Sequence, residues 1–316
     1  MLQYAIRRTL GIIPLLWAIA TITFVLMHSI QGGPFDSDRP LSETQRTNLE
    51  RKYGLDDSLP VQYVTYLKNL LTLDVGITTS GSDRLVKDII KERMGVSFQL
   101  GIASFLFASV FGLTLGVVSS LNQNGIGDYV GVFIATIGAA MPSIVLAPML
   151  TIWFAVELGW FNVLSSEYGF GGWLHGDFSN WRQVVLPTIA LGFLPMAFIA
   201  RITRASMLEV LRQDYIRTAR AKGLREFSVV LRHSAKNALI PVLTVLGPIF
   251  AGLIVGSLVI ETKFAIPGLG NEFVRSVLIR DYNLIMGVTL FFAVIIAFMN
   301  LFVDLLYGFA DPRIRY

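Results

Sequence analysis

Apolar residues gather in six long runs, near Leu10–Ile30, Val96–Leu121, Tyr129–Leu158, Val184–Arg204, Ala238–Ile260 and Leu284–Tyr307. Each is long enough for a helix to cross a hydrocarbon core of ~30 Å. The runs are apolar on all sides rather than striped, which favours spanning helices over surface helices. Seven prolines interrupt them: Pro14, Pro142, Pro148, Pro187, Pro195, Pro241 and Pro248. Each removes a helical hydrogen bond and bends the axis, and neighbouring helices must satisfy the freed carbonyls. Such bends fit either a gated pathway or irregular packing. Gly112/Gly116 and Gly252/Gly256 are small-xxx-small pairs that predict close helix contacts.

The stretch Gln31–Gly95 follows a different pattern, with nine basic and ten acidic residues. Ser42 and Gln45 form a capping-box pair that predicts a helix running to Tyr53 and stopping at Gly54. Pro60 suits the first turn of a second helix, with Val64, Leu67, Leu70 and Leu71 as its apolar stripe. A third helix carries Val86, Ile89, Ile90 and Met94 on one face, to lie on the membrane or dock on the bundle. The expected division is 1–95, a spanning helix plus this small helical domain, and 96–316, five further spanning helices.

Charge then gives the orientation. Arg7 and Arg8, nine basic residues in Arg201–Lys236, and Arg313 and Arg315 make thirteen on one side. The short loops of the other side hold four: Arg182, Lys263, Arg275 and Arg280. The positive-inside rule puts both termini in the cytoplasm and the small domain outside. The first run lacks a convincing cleavage site and is expected to remain as a signal anchor. Only 15% of the 316 residues are charged and 53% are hydrophobic, against roughly 25% charged in soluble domains. A formal charge of +4 gives no reason to expect a nucleic-acid partner.

The chain has no cysteine, which removes disulfides, thiolate metal sites and cysteine nucleophiles. Its three histidines, His28, His175 and His233, are far apart, and no His-Glu-x-x-His or Gly-x-Ser-x-Gly occurs. No Gly-x-x-x-x-Gly-Lys-Ser/Thr loop is present, so a pump built on this chain needs its motor on another polypeptide. Charge inside the runs is nearly absent; His28, Glu157 and Asp304 lie near the ends of theirs, and Arg201 and Arg204 close the fourth. A secondary transporter would usually carry more charge at mid-membrane.

Arg201–Lys236 is long enough for two short helices beneath the membrane. The first, near Ala205–Lys222, continues from the fourth run with Leu208, Leu211, Tyr215 and Ala219 on one stripe. Gly223 is a helix stop, and Leu224 folds back as the following apolar contact. The second helix, Arg225–Asn237, takes its apolar bulk from Phe227, Val230 and Leu231. Such an elbow fits a groove on a soluble partner. Charge alone favours a solvated loop against anionic lipid; the glycine at the elbow, after the small Thr218-Ala219 pair, brings the two readings level.

The segment DYIRTARAKGLREFSVVLRHSAKNALIP, Asp214–Pro241, resembles the cytoplasmic coupling loop of permease subunits of binding-protein-dependent ABC importers. The general loop carries Glu-Ala-Ala, three residues and Gly; aligned on Gly223, those places hold Arg217, Thr218 and Ala219. The Arg-Thr-Ala-Arg-Ala-Lys-Gly form is similar to the dipeptide/oligopeptide branch. The likeness extends along the chain through YAIRRTLGIIPLL (Tyr4–Leu16), GLDDSLPVQY (Gly54–Tyr63), DVGIT (Asp74–Thr78), ETKFAIPGLG (Glu261–Gly270) and NLFVDLLYGFADPRIRY (Asn300–Tyr316). Gly32-Gly33-Pro34 stands where that branch usually has Gly-Asp-Pro.

The resemblance implies an all-α polytopic inner-membrane protein of a prokaryote, with the type I ABC importer permease fold and about six transmembrane helices. It implies a second homologous permease, two ABC ATPase subunits that use ATP and Mg, and an extracytoplasmic solute-binding protein. No cofactor or metal is expected in this chain. Arg217, Thr218, Ala219, Lys222, Gly223 and Leu224 are the expected ATPase contact. Pro267, Gly268, Leu269 and Gly270 are expected to form an outer turn that docks the binding protein or reaches towards its cleft. Short peptides are the expected solute; relatives also move oligosaccharides, nickel chelates, glutathione and opines. An ion-driven transporter or channel, or a membrane scaffold or sensor without transport, would instead work without ATPase subunits or without substrate-dependent ATP hydrolysis.

Overall fold

The computed structural model describes residues 2–29, 33–35, 42–79, 83–162 and 181–310. Among the described residues the named elements are all helical, with one isolated bridge between Ile77 and Leu85. Helix α1 (Leu2–Ser29) holds the first apolar run, and α2 (Glu43–Tyr53) and α3 (Leu59–Leu71) build the small domain. Next come α4 (Val86–Leu121), α5 (Ile126–Ala140) and α6 (Ser143–Leu150), which widens into π-helical turns over Thr151–Glu157. Helix α7 (Trp181–Leu211) leads to α8 (Asp214–Ala221). Helix α9 joins Glu226–Ser228, the π-helical Val229–Ala235 and Lys236–Ala238. Then follow α10 (Ile240–Val255), α11 (Ser257–Lys263), α12 (Leu269–Leu278) and α13 (Tyr282–Ala310).

Five stretches are long and apolar enough to cross a membrane alone: Ile6–Ser29, Val86–Leu121, Trp181–Leu211, Ile240–Lys263 and Tyr282–Val303. The expected third span is a bent pair, in which Ile126–Ala140 and Ser143–Glu157 meet at 109°. Met141 lies at the bend with φ −94° and ψ 112°. A residue before proline is pushed out of the helical region, and Pro142 does this here. The count of six holds when the pair is taken as one broken span.

Glycine brings the central helices together. A Cβ on Gly112 would lie 2.8 Å from the Met196 carbonyl, and one on Gly116 would lie 2.7 Å from that of Ala200. From the other side, a Cβ on Gly192 would come within 2.8 Å of the Ser104 carbonyl. Gly138 seats α5 on α7, where a Cβ would meet that of Ala197 at 2.9 Å. The second glycine pair makes no such contact. Gly252 faces open space, and a Cβ on Gly256 would meet Gly252's own carbonyl at 2.6 Å. Gly256 marks the joint between α10 and α11 instead. The surrounding core is apolar, with Leu100, Leu186, Leu253, Ile260 and Phe264 buried in one cluster.

The small domain is held to the bundle by α4 and α3. Its expected third helix is the first part of α4, so the boundary drawn at 95/96 falls inside one unbroken helix. Val86 and Ile89 dock in the bundle with Leu284, Val288 and Phe292. The capping box at α2 is reciprocal: Gln45 N donates to Ser42 Oγ at 3.3 Å, and Ser42 N donates to Gln45 Oε1 at 3.2 Å. Gly54 ends the helix with φ 64°. The stripe expected on α3 is not its packed face, since Val64 and Leu71 are 62% and 87% exposed. Tyr63 and Tyr66 pack instead, against Phe24 of α1 and Tyr282 and Met286 of α13. Aromatic bulk outweighs the aliphatic stripe because rings fill the wedge between two helices. His28 ties α1 to this layer through Gln62 Oε1 at 3.0 Å, while its other ring nitrogen lies 2.8 Å from Phe24 O of α1 itself. Glu157 is exposed, and the side chain of Asp304 lies outside the described residues.

Two outcomes follow from this packing. Gly116→Leu should destabilise the protein by roughly 2 kcal/mol or more through overpacking, while Gly252→Ala should not lower stability; apparent unfolding temperatures in lipid discs check both. Burial pushes the Tyr66 hydroxyl up to about 12, and it has no hydrogen-bond partner among the described residues. Because this value is raised, the stability tied to the neutral hydroxyl is intact below the ordinary tyrosine value of about 10. It is lost as pH climbs towards 12. Tyr66→Phe should therefore unfold at a less pH-dependent temperature than wild type between pH 9.5 and 12.

Candidate functional site

The Arg201–Lys236 segment forms an elbow, but not the one expected at its entry. Helix α7 stops at Leu211 and α8 starts afresh after Gln213, which is extended at φ −71° and ψ 148°. The buried stripe is Ile216 and Ala219, packed on Val229 of α9 and on Val210 at the end of α7. Tyr215 is turned outward. Gly223 has φ 77°, a left-handed conformation that glycine adopts without steric cost. Its N–H donates to Arg220 O at 2.9 Å, and the next N–H, of Leu224, donates to Ala219 O at 3.4 Å. This paired closure satisfies the last carbonyls of α8 and reverses the chain.

Of the six residues expected to meet an ATPase, Arg217, Thr218, Lys222, Gly223 and Leu224 are exposed. Ala219 is buried at 7% exposure and supports them from beneath. Thr218 Oγ1 donates to Asp214 O at 3.0 Å, so its hydroxyl already has an acceptor within α8. Phe227 and Leu231 stand out beside the elbow at 76% and 58% exposure, with Arg225 and Arg232 close by in sequence. An ion pair between Arg220 Nη2 and Glu226 Oε1 at 2.6 Å pins the two arms. The guanidinium holds the Glu226 carboxyl below its ordinary range. Asn237 Nδ2 donates to Tyr215 Oη at 2.8 Å and closes the far side.

Two buried carboxylates were not anticipated in these roles. Asp128, near the start of α5, takes a two-pronged contact from Arg204 of α7: Nε to Oδ1 and Nη2 to Oδ2, each 2.7 Å. Ser119 Oγ of α4 also donates to Asp128, as does Asn124 N at 3.0 Å. Glu261, wholly buried in α11, accepts from Ser257 Oγ at 2.6 Å and from Asn271 N at 3.0 Å. Ser97 and the Gly270 N–H complete its donors. Gly270 and Asn271 are in the first turn of α12, so a distant carboxylate caps that helix.

The Pro267–Gly270 turn packs inward. The turn does not project: Gly268, Leu269 and Gly270 are buried. Leu269 N donates to Ser97 Oγ at 2.8 Å, and both glycines lie against the Glu261 carboxylate. Side chains at 268 or 270 would occupy the space of that carboxylate. The accessible parts of the stretch are Thr262, Lys263 and Ala265 before the turn, and Arg275 and Val277–Arg280 at the end of α12 and just beyond it. On the same end of the bundle, a cleft of about 370 Å³ opens between the small domain, α1 and α13, lined in part by His28, Gln62, Tyr66, Asn69, Asp74 and Tyr282. Among the described residues, no group of three His, Asp or Glu could hold a metal ion.

The helical core, broken third span and protruding elbow are those of a type I ABC importer permease. An inward-facing methionine ABC transporter superposes with a TM-score of 0.56 at 17% identity, over 71% of this chain and 96% of that one. An amino acid ABC transporter with histidines gives 0.50 at 16% identity, over 69% and 92%. The chain belongs to the binding-protein-dependent transport system inner membrane components: that family's model matches residues 109–316, and the model of its N-terminal part matches 1–100. The dipeptide transport system permease protein DppB of Bacillus subtilis is 44% identical over 100% of this chain and 98% of its own length. The oligopeptide transport system permease protein OppB of Escherichia coli K12 is 42% identical over the whole of both chains.

The Glu261 latch has a direct test. Glu261→Ala leaves buried donors without an acceptor, at about 1–3 kcal/mol for each. Glu261→Gln keeps one oxygen for the α12 N-terminus. The apparent unfolding temperature should therefore fall further for Ala than for Gln.

Proposed function

We propose that this chain is one permease subunit of an ATP-driven importer of short peptides, forming half of the pathway beside a second, homologous permease. The observation that carries this reading is the Gly223 elbow, which presents Arg217, Thr218, Lys222 and Leu224 beside the exposed Phe227 and Leu231. An apolar knob with a basic rim, held stiff by its own hydrogen bonds, is suited to a groove on a soluble motor. The names of the full-length relatives support the peptide class of solute.

The motor subunits would bind ATP and Mg, and this chain would contribute neither an ATPase site nor a cofactor. With both termini and the elbow on the cytoplasmic side, as the arginine and lysine distribution favours, the small domain and α12 face the solute-binding protein. The exposed end of α12 and the small domain then form the docking face, and Pro267–Gly270 serves as its internal support. Movement of the motor subunits would enter at Gly223 and pass through α8 into α7.

Gly223→Pro tests the elbow. Proline cannot take φ 77° and has no N–H to donate to Arg220 O. In reconstituted complexes that assemble normally, import per ATP hydrolysed should drop at least ten-fold. A variant that assembles and imports with unaltered coupling would overturn the assignment.

A further inference from the structure

The coupling reading explains where movement enters, but not why a push on α7 should open a pathway rather than bend one helix. Three observations bear on this. The glycine contacts at Gly112, Gly116, Gly192 and Gly138 join α4, α5 and α7 backbone to backbone. The elbow is seated on the end of α7 through Val210, Ile216 and Val229. Between these two regions lies Arg204, nine residues before the break at Gln213.

Arg204 reaches both neighbours at once. Its fork holds both oxygens of Asp128, and its Nε is also 3.1 Å from Ser119 Oγ. Asp128 is 4% exposed and accepts from α7, from α4 and from the α4–α5 turn. Glycine seams resist compression but do not resist sliding; a two-pronged charged contact fixes both distance and angle. No other ion pair links α4, α5 and α7 among the described residues.

We propose that Arg204 and Asp128 are positioning residues for coupling: they clamp α4 and α5 to α7, so that movement entering at the elbow turns the three helices as one body. Helices α10 and α13 have no such clamp to α7 among the described residues, and the joint at Gly256 lies between α10 and α11. Opening would therefore occur between the clamped block and α10, with movement taken up at the Gly256 joint, since α11 is itself tied to α4 through Glu261 and Ser97. This rests on the coupling role of the elbow.

The test measures import per ATP hydrolysed in reconstituted complexes, with subunit assembly checked by size exclusion. Asp128→Asn keeps the shape and removes the charge; Arg204→Lys keeps the charge and removes the fork. Each should lower import per ATP at least five-fold in assembled complexes, and the exchange Asp128→Arg with Arg204→Asp should recover part of it. Unaltered coupling in assembled Asp128→Asn overturns the clamp; if that variant does not assemble, unaltered coupling in Arg204→Lys does so. Uncoupling by Gly223→Pro alone sinks the clamp and leaves the elbow standing. Normal coupling in Gly223→Pro sinks the elbow reading itself.

Discussion

A charge removed from water must be surrounded by donors, and most of this architecture answers that demand. The spans leave their interiors almost uncharged and carry charge at their ends. Where a carboxylate is nevertheless buried, it gathers helices around it. Asp128 draws in α4, α5 and α7, and Glu261 draws α11, α12 and Ser97 of α4 together. Leaving either carboxylate short of donors would cost several kcal/mol. The two carboxylates therefore fix geometry at opposite ends of the bundle: one near the elbow, the other beneath the outer turn.

Between those ends the bundle uses different means. No charge crosses the central α4–α7 contact, where glycine lets backbone approach backbone. Bends are placed where continuity would be a liability, at Met141–Pro142 in the third span and at Gly256 in the fifth. The result alternates stiff and jointed pieces. The stiff pieces are tied by buried polar contacts and glycine seams, and the joints fall where those are missing.

Much of this was legible in the sequence because much of it is local. Six apolar runs, the Ser42–Gln45 capping box and the stops at Gly54 and Gly223 all follow from neighbours within a few residues. What escaped depends on distance along the chain. Asp128 and Arg204 are 76 residues apart, and nothing in either segment announces the other. Leu269 is tied to Ser97 across 172 residues, a contact that neither segment announces. On α3, periodicity found an apolar stripe, but the wedge between α1 and α13 selected the tyrosines. The bend at Pro142 was open to inference, yet its angle depends on how α6 rests against α7 and α11.

Helix α4 joins the outer domain to the centre of the bundle without a break. Its 36 residues make a rod roughly 54 Å long. As a lever, such a rod tilting by about 5° at one end displaces the other by roughly 5 Å. Val86 and Ile89, at one end, are packed against α12 and α13, while Ser119, at the other, is held by Arg204. The small-domain end and the elbow end of the bundle are therefore joined by one solid object. Each can sense the other without any message relayed residue by residue.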